Sequence, residues 1–184
     1  MMKRLSLFAA LTLLLTTPGC GPADEVGSES GFGLAQVEQE ATQSAGTTSE
    51  ELPPINCPSR MVAYQFGCSG TGCDNVSMGC RDIPSSAGVG VTSWTQAFSE
   101  ETQTPTVCPT GYWVTGVSCT GGFCDNVSLQ CTRITGPTAV DCFWSGWISD
   151  ETAPFQAPEN YFIRGAKCRG WYCDDMSFQY CRMG

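Results

Sequence analysis

The sequence predicts an all-β domain of three disulfide-stapled hairpins, on three observations. One cassette is written three times: Cys68-Ser-Gly-Thr-Gly-Cys73-Asp-Asn-Val-Ser-Met-Gly-Cys80, Cys119-Thr-Gly-Gly-Phe-Cys124-Asp-Asn-Val-Ser-Leu-Gln-Cys131 and Cys168-Arg-Gly-Trp-Tyr-Cys173-Asp-Asp-Met-Ser-Phe-Gln-Tyr-Cys181. Its copies start 51 and 49 residues apart, the spacing of one supersecondary unit used three times in a pseudo-threefold arrangement. Helical periodicity is missing, and short β-branched and aromatic runs are punctuated by Gly and Pro. Twelve of the thirteen cysteines fall between Cys57 and Cys181, as in a small exported fold held by bridges.

From the N-terminus, residues 1–19 read as a signal peptide. Lys3 and Arg4 precede an apolar run, Leu5 to Leu15, that is shorter than the roughly 20 residues a bilayer span needs. Thr17-Pro18-Gly19-Cys20 resembles the lipobox of bacterial lipoproteins, which implies lipidation at Cys20; the alternative is an ordinary signal peptide cut nearby. The odd cysteine count favours the lipid, because setting Cys20 aside leaves an even twelve. The expected location is the bacterial cell envelope, as an outer-membrane lipoprotein or a secreted protein. The lipid anchor is then the only membrane attachment.

Residues 20–52 follow as the lipidated Cys and an acidic linker. Positions 21–52 hold seven acidic residues and no Lys or Arg, so they bury too little apolar surface to offset the entropy of ordering. A disordered tether of this length reaches roughly 30 Å. The remaining domain, 53–184, carries eleven acidic against seven basic residues, which argues against nucleic acid or anionic lipid as partner.

Within that domain the three units are placed at about 57–105, 108–154 and 157–184. Gly111 to Ser118 alternates, Gly121-Gly122 turns, and Val127, Leu129 and Cys131 then share one strand face. Upstream runs, Trp94 to Phe98 and Phe143 to Trp147, read as further strands. Their aromatics, four residues apart, share a face and are candidate core. No comparable strand is visible before Cys57.

If Cys119 and Cys124 flank a hairpin tip they face one another and clip it, while Cys108 and Cys131 lie at its open end. Nesting gives Cys57–Cys80 outside Cys68–Cys73 and Cys108–Cys131 outside Cys119–Cys124. In the third unit Ala157 stands in the slot of Cys57 and Cys108, and Tyr180 in that of Cys80 and Cys131. Both outer partners are displaced together, so Cys142–Cys181 is expected beside Cys168–Cys173.

Cys108-Pro109-Thr110-Gly111-Tyr112-Trp113-Val114 together with Asn126-Val127-Ser128-Leu129-Gln130-Cys131 resembles vitelline membrane outer layer protein I, a family with such a strand start and strand end in each of three sheets. The resemblance implies a β-prism, three Greek-key sheets about a pseudo-threefold axis, shared in outline with plant lectins. The family's long polar connection between these strands is here a short Cys-clipped loop. A β-trefoil is the alternative, since it too uses three units of similar length.

Few residues offer chemistry. The chain has no His, and its cysteine gaps are not those of a zinc knuckle, so no metal and no cofactor are expected. The Asp-Asn-x-Ser stretches (Asp74, Asn75, Ser77; Asp125, Asn126, Ser128; Asp174, Asp175, Ser177) offer alternate oxygens that suit Ca²⁺, or shape the turn into the next strand, the reading preferred here. Glu100-Glu101 and Asp150-Glu151 are paired carboxylates, but neighbours in an extended chain point to opposite sides, so a glycosidase is a distant third reading. Trp171 and Tyr172 sit inside the third clip beside Arg169, where the other tips have Thr71-Gly72 and Gly122-Phe123. They fold back onto their own sheet, the reading preferred here, or face solvent and stack on a ligand. The sequence therefore points to a surface-tethered, non-catalytic binding module. Its partner is expected to be a cell-surface or extracellular glycan or protein, with carbohydrate, by fold analogy, the first ligand class and Trp171, Tyr172 and Arg169 the contact residues. The alternative is a structural envelope or matrix lipoprotein with no small ligand.

Overall fold

Alternating β-branched and aromatic residues between Gly- and Pro-marked turns give twelve strands among the described residues: β1 (Thr42–Ser49), β2 (Ile55–Asn56), β3 (Met61–Ser69), β4 (Asn75–Asp82), β5 (Gly88–Trp94), β6 (Thr106–Val107), β7 (Tyr112–Thr120), β8 (Asn126–Thr135), β9 (Ala139–Trp144), β10 (Phe155–Gln156), β11 (Tyr161–Arg169) and β12 (Asp175–Met183). The structure, a computed structural model, describes residues 41–49, 52–102 and 104–184. The expected signal peptide, Cys20 and positions 21–40 of the expected linker lie outside the described residues. Among the described residues no helix is long and apolar enough to cross a membrane.

The strands form three antiparallel four-stranded sheets of one plan: β1-β4-β3-β10, β5-β8-β7-β2 and β9-β12-β11-β6. Each holds a hairpin, a long strand on one side, and a two-residue strand that arrives from the segment preceding a different hairpin. The exchange is cyclic. β2 leaves the first hairpin's approach for the second sheet, β6 leaves the second's for the third, and β10 leaves the third's for the first.

A bulge in each hairpin receives the incoming strand. The pairing register shifts at Tyr64, Thr115 and Arg164. The carbonyls of these residues accept the N–H of Ala157 (2.8 Å), Cys57 (2.7 Å) and Cys108 (2.8 Å), so three backbone bonds link the sheets in a ring. A bulge leaves its extra residue outside the ladder, which is what frees these carbonyls.

The inner faces meet in sets drawn from all three sheets. Phe66, Val117 and Ala166 occupy corresponding positions in β3, β7 and β11, with Met78, Leu129 and Phe178 on β4, β8 and β12; all are buried. Their volumes compensate, as close packing requires: Phe66 stacks on Phe178 at 4.7 Å beside the small Ala166. At the other end of the strands Val62, Trp113 and Phe162 close a second cluster with Ile83 and Ile134.

Six disulfides join Cys57–Cys80, Cys68–Cys73, Cys108–Cys131, Cys119–Cys124, Cys142–Cys181 and Cys168–Cys173. Where the third hairpin lacks an outer bridge at Ala157, Tyr180 fills the space with Phe155 (5.2 Å), Tyr161 (5.7 Å) and Phe143 (6.0 Å). Such a bridge density belongs to an oxidising, exported environment.

Two expectations change. The linker does not run unstructured to residue 52, because Thr42–Ser49 is β1, antiparallel to β4. It supplies the strand that looked missing before Cys57. Its inward residue Thr48 is fully buried where the other sheets have Phe98 and Ile148, and its hydroxyl donates to Pro53 O at 2.9 Å. The aromatic runs, in turn, do not bury both rings. The strands stop at Trp94 and Trp144, and the chain rejoins the sheet through single bridges at Phe98 and Ile148. Phe98 is therefore core while Trp94 and Phe143 are exposed.

Candidate functional site at the three hairpin tips

Each hairpin turns through a Cys-clipped single turn, Thr71–Cys73, Gly122–Cys124 and Trp171–Cys173. The clip forces two consecutive residues into the left-handed region: Gly72 and Cys73, Phe123 and Cys124, Tyr172 and Cys173. Glycine suits such a site, and the first tip has one at Gly72; the second and third hold Phe123 (φ 58°) and Tyr172 (φ 57°) instead. A bulky side chain in this conformation costs about 1–2 kcal/mol. That cost, accepted twice, marks these rings for attention.

The three tips touch one another. Carbonyls of the following residues lie against the clip sulfurs of neighbouring tips: Asp174 O on Cys73 Sγ at 2.8 Å, Asp74 O on Cys124 Sγ at 3.0 Å, and Asp125 O on Cys173 Sγ at 3.4 Å. A disulfide sulfur carries no proton, so these are sulfur–oxygen contacts rather than hydrogen bonds. The ring brings the second and third tips together, and Phe123 and Tyr172 pack with centroids 5.2 Å apart. Both remain over two-fifths exposed, and Trp171 is 81% exposed. The third tip does not fold back onto its sheet.

Carboxylates border these rings. The loop after β5 brings Glu100 across to the third tip, where its Oε1 accepts the Tyr172 N–H at 3.3 Å. Its other side meets Asp125, which follows the second clip. Two carboxylates in contact cannot both be ionised comfortably. The hydrogen bond to Glu100 raises Asp125 above its ordinary value, helped by burial and by the charges of Glu100 and Glu101. Burial pushes Glu100 up, but its bonds with Asp125 and with backbone N–H groups outweigh this and hold it below its ordinary value. When the pair takes up a proton, Asp125 is therefore the member that holds it. The acids that meet are Glu100 and Asp125, not Glu100 and Glu101, and nothing in their sequence spacing of 25 signals it.

Glu100 and Asp125 are in side-chain hydrogen-bond contact, closer than the roughly 5 Å or more that separates the two carboxyls of a glycosidase. Glu100, Asp125 and Cys173 gather their ligand atoms within 4.8 Å, but the Cys173 sulfur is bonded to Cys168 and offers no thiolate. In the Asp-Asn-x-Ser segments the Asn75 amide donates to Asp74 beside it, whereas the Ser177 hydroxyl reaches across to Ser145 O at 3.0 Å, outside its own turn. Asp150 and Glu151 are exposed in a turn where Ser149 N–H donates to Thr152 Oγ1 at 2.8 Å.

Arg169 is not part of the aromatic tip. Its guanidinium lies 4.2 Å from the Trp147 ring and pairs with Asp175 at 2.9 Å, while Lys167 Nζ sits between Trp144 (4.6 Å) and Trp147 (5.1 Å). A groove of about 440 Å³ runs past Trp94, Thr95, Thr102, Pro105 and Val107. No known protein family, curated protein or solved structure was found to match this chain.

Proposed function

We propose that the chain is an exported, non-catalytic binding module tethered through a lipidated Cys20, with carbohydrate as its ligand class and the three-tip face as its binding face. The three like-built sheets and their cyclic exchange of short strands support a β-prism-like reading over a trefoil. One observation carries the binding face: an 81% exposed Trp171 beside Tyr172 and Phe123, two rings held on left-handed backbone where the first tip uses Gly72. Rigid exposed rings stack on the apolar faces of sugars, and carboxylates beside them accept hydroxyl hydrogen bonds. A bilayer-distal module with such a face binds from the end of its tether.

The test is a glycan array probed with the folded protein and with Trp171→Ala. The expected outcome is binding by the wild type that Trp171→Ala reduces at least tenfold at unchanged melting temperature. Equal binding by both proteins removes the tip from the site. No binding to any glycan favours the structural envelope lipoprotein.

A further inference from the structure

The tip face is rich in carboxylates. Segments 70–75, 99–102, 121–126 and 170–175 contain Asp74, Glu100, Glu101, Asp125, Asp174 and Asp175 and neither Lys nor Arg. At its edge Arg169 pairs with Asp175 and lies over the Trp147 ring, and Lys167 sits between Trp144 and Trp147. With the Glu100–Asp125 pair ionised, two carboxylate oxygens, Glu100 Oε2 and Asp174 Oδ1, are shut off from solvent without a hydrogen-bond donor from the protein. On the same tips Phe123, Trp171 and Tyr172 are exposed, and aromatic ring faces attract cations.

We propose that the tip face selects a cationic saccharide, one whose sugar ring carries a protonated amine. The inference rests on the carbohydrate reading above and adds the charge of the ligand. A neutral sugar satisfies the rings but leaves the carboxylates without a counter-charge. An acidic sugar meets like charge. A sugar with an ammonium group stacks its ring on Trp171 or Tyr172 and donates up to three N–H bonds to Glu100 and its neighbours, giving the carboxylates a counter-charge.

Titration calorimetry of the folded domain at pH 5.5 uses three probes of one length: a glucosamine tetramer with free amines, its fully N-acetylated counterpart, and a glucose tetramer. The free-amine tetramer is expected to bind about tenfold tighter than the other two, and the preference shrinks in high salt. Glu100→Gln combined with Asp125→Asn, both close in shape to the native residues, brings the preference to near unity. Equal affinity for all three probes overturns the charge selection and leaves the carbohydrate reading standing. Tighter binding of the acetylated or neutral tetramer overturns it likewise. Binding of none of the three overturns both. A preference that survives the double variant places the cation away from Glu100 and Asp125 and overturns this assignment.

Discussion

The first and third hairpins share a backbone plan but differ at both ends. At the open end the first carries Cys57–Cys80, whereas the third has Ala157 and a cluster of Tyr180, Phe155, Tyr161 and Phe143. At the tip the first has Thr71 and Gly72, whereas the third has Trp171 and Tyr172 in the same left-handed turn. The first difference exchanges one way of holding strands together for another. The second difference adds exposed aromatic area at a backbone cost, which holding the turn does not require. The open end thus varies within a structural task, and the tip varies in what it offers to solvent.

The largest effect expected from this contrast is at the open ends. Removing Cys57–Cys80 by double alanine substitution should cost about 2–4 kcal/mol, and Tyr180→Ala, a half-buried ring, about 1–2 kcal/mol through its lost contacts with three rings. Chemical denaturation measures both. A Tyr180→Ala loss below about 1 kcal/mol would mean that the aromatic cluster is no substitute for the bridge.

Exchanging the tips sharpens the contrast with a smaller effect. Tyr172→Gly gives the third tip the first tip's residue and relieves about 1 kcal/mol of left-handed strain, offset by the ring contact to Phe123, worth about 0.5–1.5 kcal/mol. Its melting temperature should stay within a few degrees of wild type while glycan binding falls. A large drop in stability would show that Tyr172 is a packing residue.

The smallest effect is electrostatic. Asp125 is raised in the fold, so the stability it contributes is present at low pH and is lost as pH rises through that raised value. Glu100 is lowered, and its contribution is lost as pH falls through its own lowered value. Asp125→Asn keeps a donor to Glu100 at every pH. Melting temperatures followed upward from about pH 4 should decline in the wild type relative to Asp125→Asn, leaving the variant equal or slightly more stable at neutrality. Parallel curves would mean that the two carboxylates do not share a proton.

Local features were legible in the residues. Cys119 and Cys124 lie five apart, so a clipped tip between two alternating strands follows from the chain itself, and the nesting of Cys108 with Cys131 comes from the same hairpin. Ala157 and Tyr180 together point to Cys142, because two displaced partners leave one cysteine over. β1 was hidden because its buried residue is Thr48, which gives no apolar signal where Phe98 and Ile148 do. A sequence echo was available: Ser49-Glu50-Glu51 matches Ser99-Glu100-Glu101, with Ser149-Asp150-Glu151 in the third copy, each 50 residues on.

Sequence by itself thus determined the all-β class, the three clipped hairpins and the export chemistry, since period-two alternation and short cysteine gaps act over a few residues. Only the tertiary structure decided that β2, β6 and β10 cross to other sheets, because two-residue strands carry no periodicity and are fixed by the bulge carbonyls of Tyr64, Thr115 and Arg164. It alone brought Glu100 to Asp125 and Phe123 to Tyr172, and sent Arg169 to Trp147. Those meetings join residues of different loops, and loop contacts are set by how whole sheets pack rather than by any spacing along the chain.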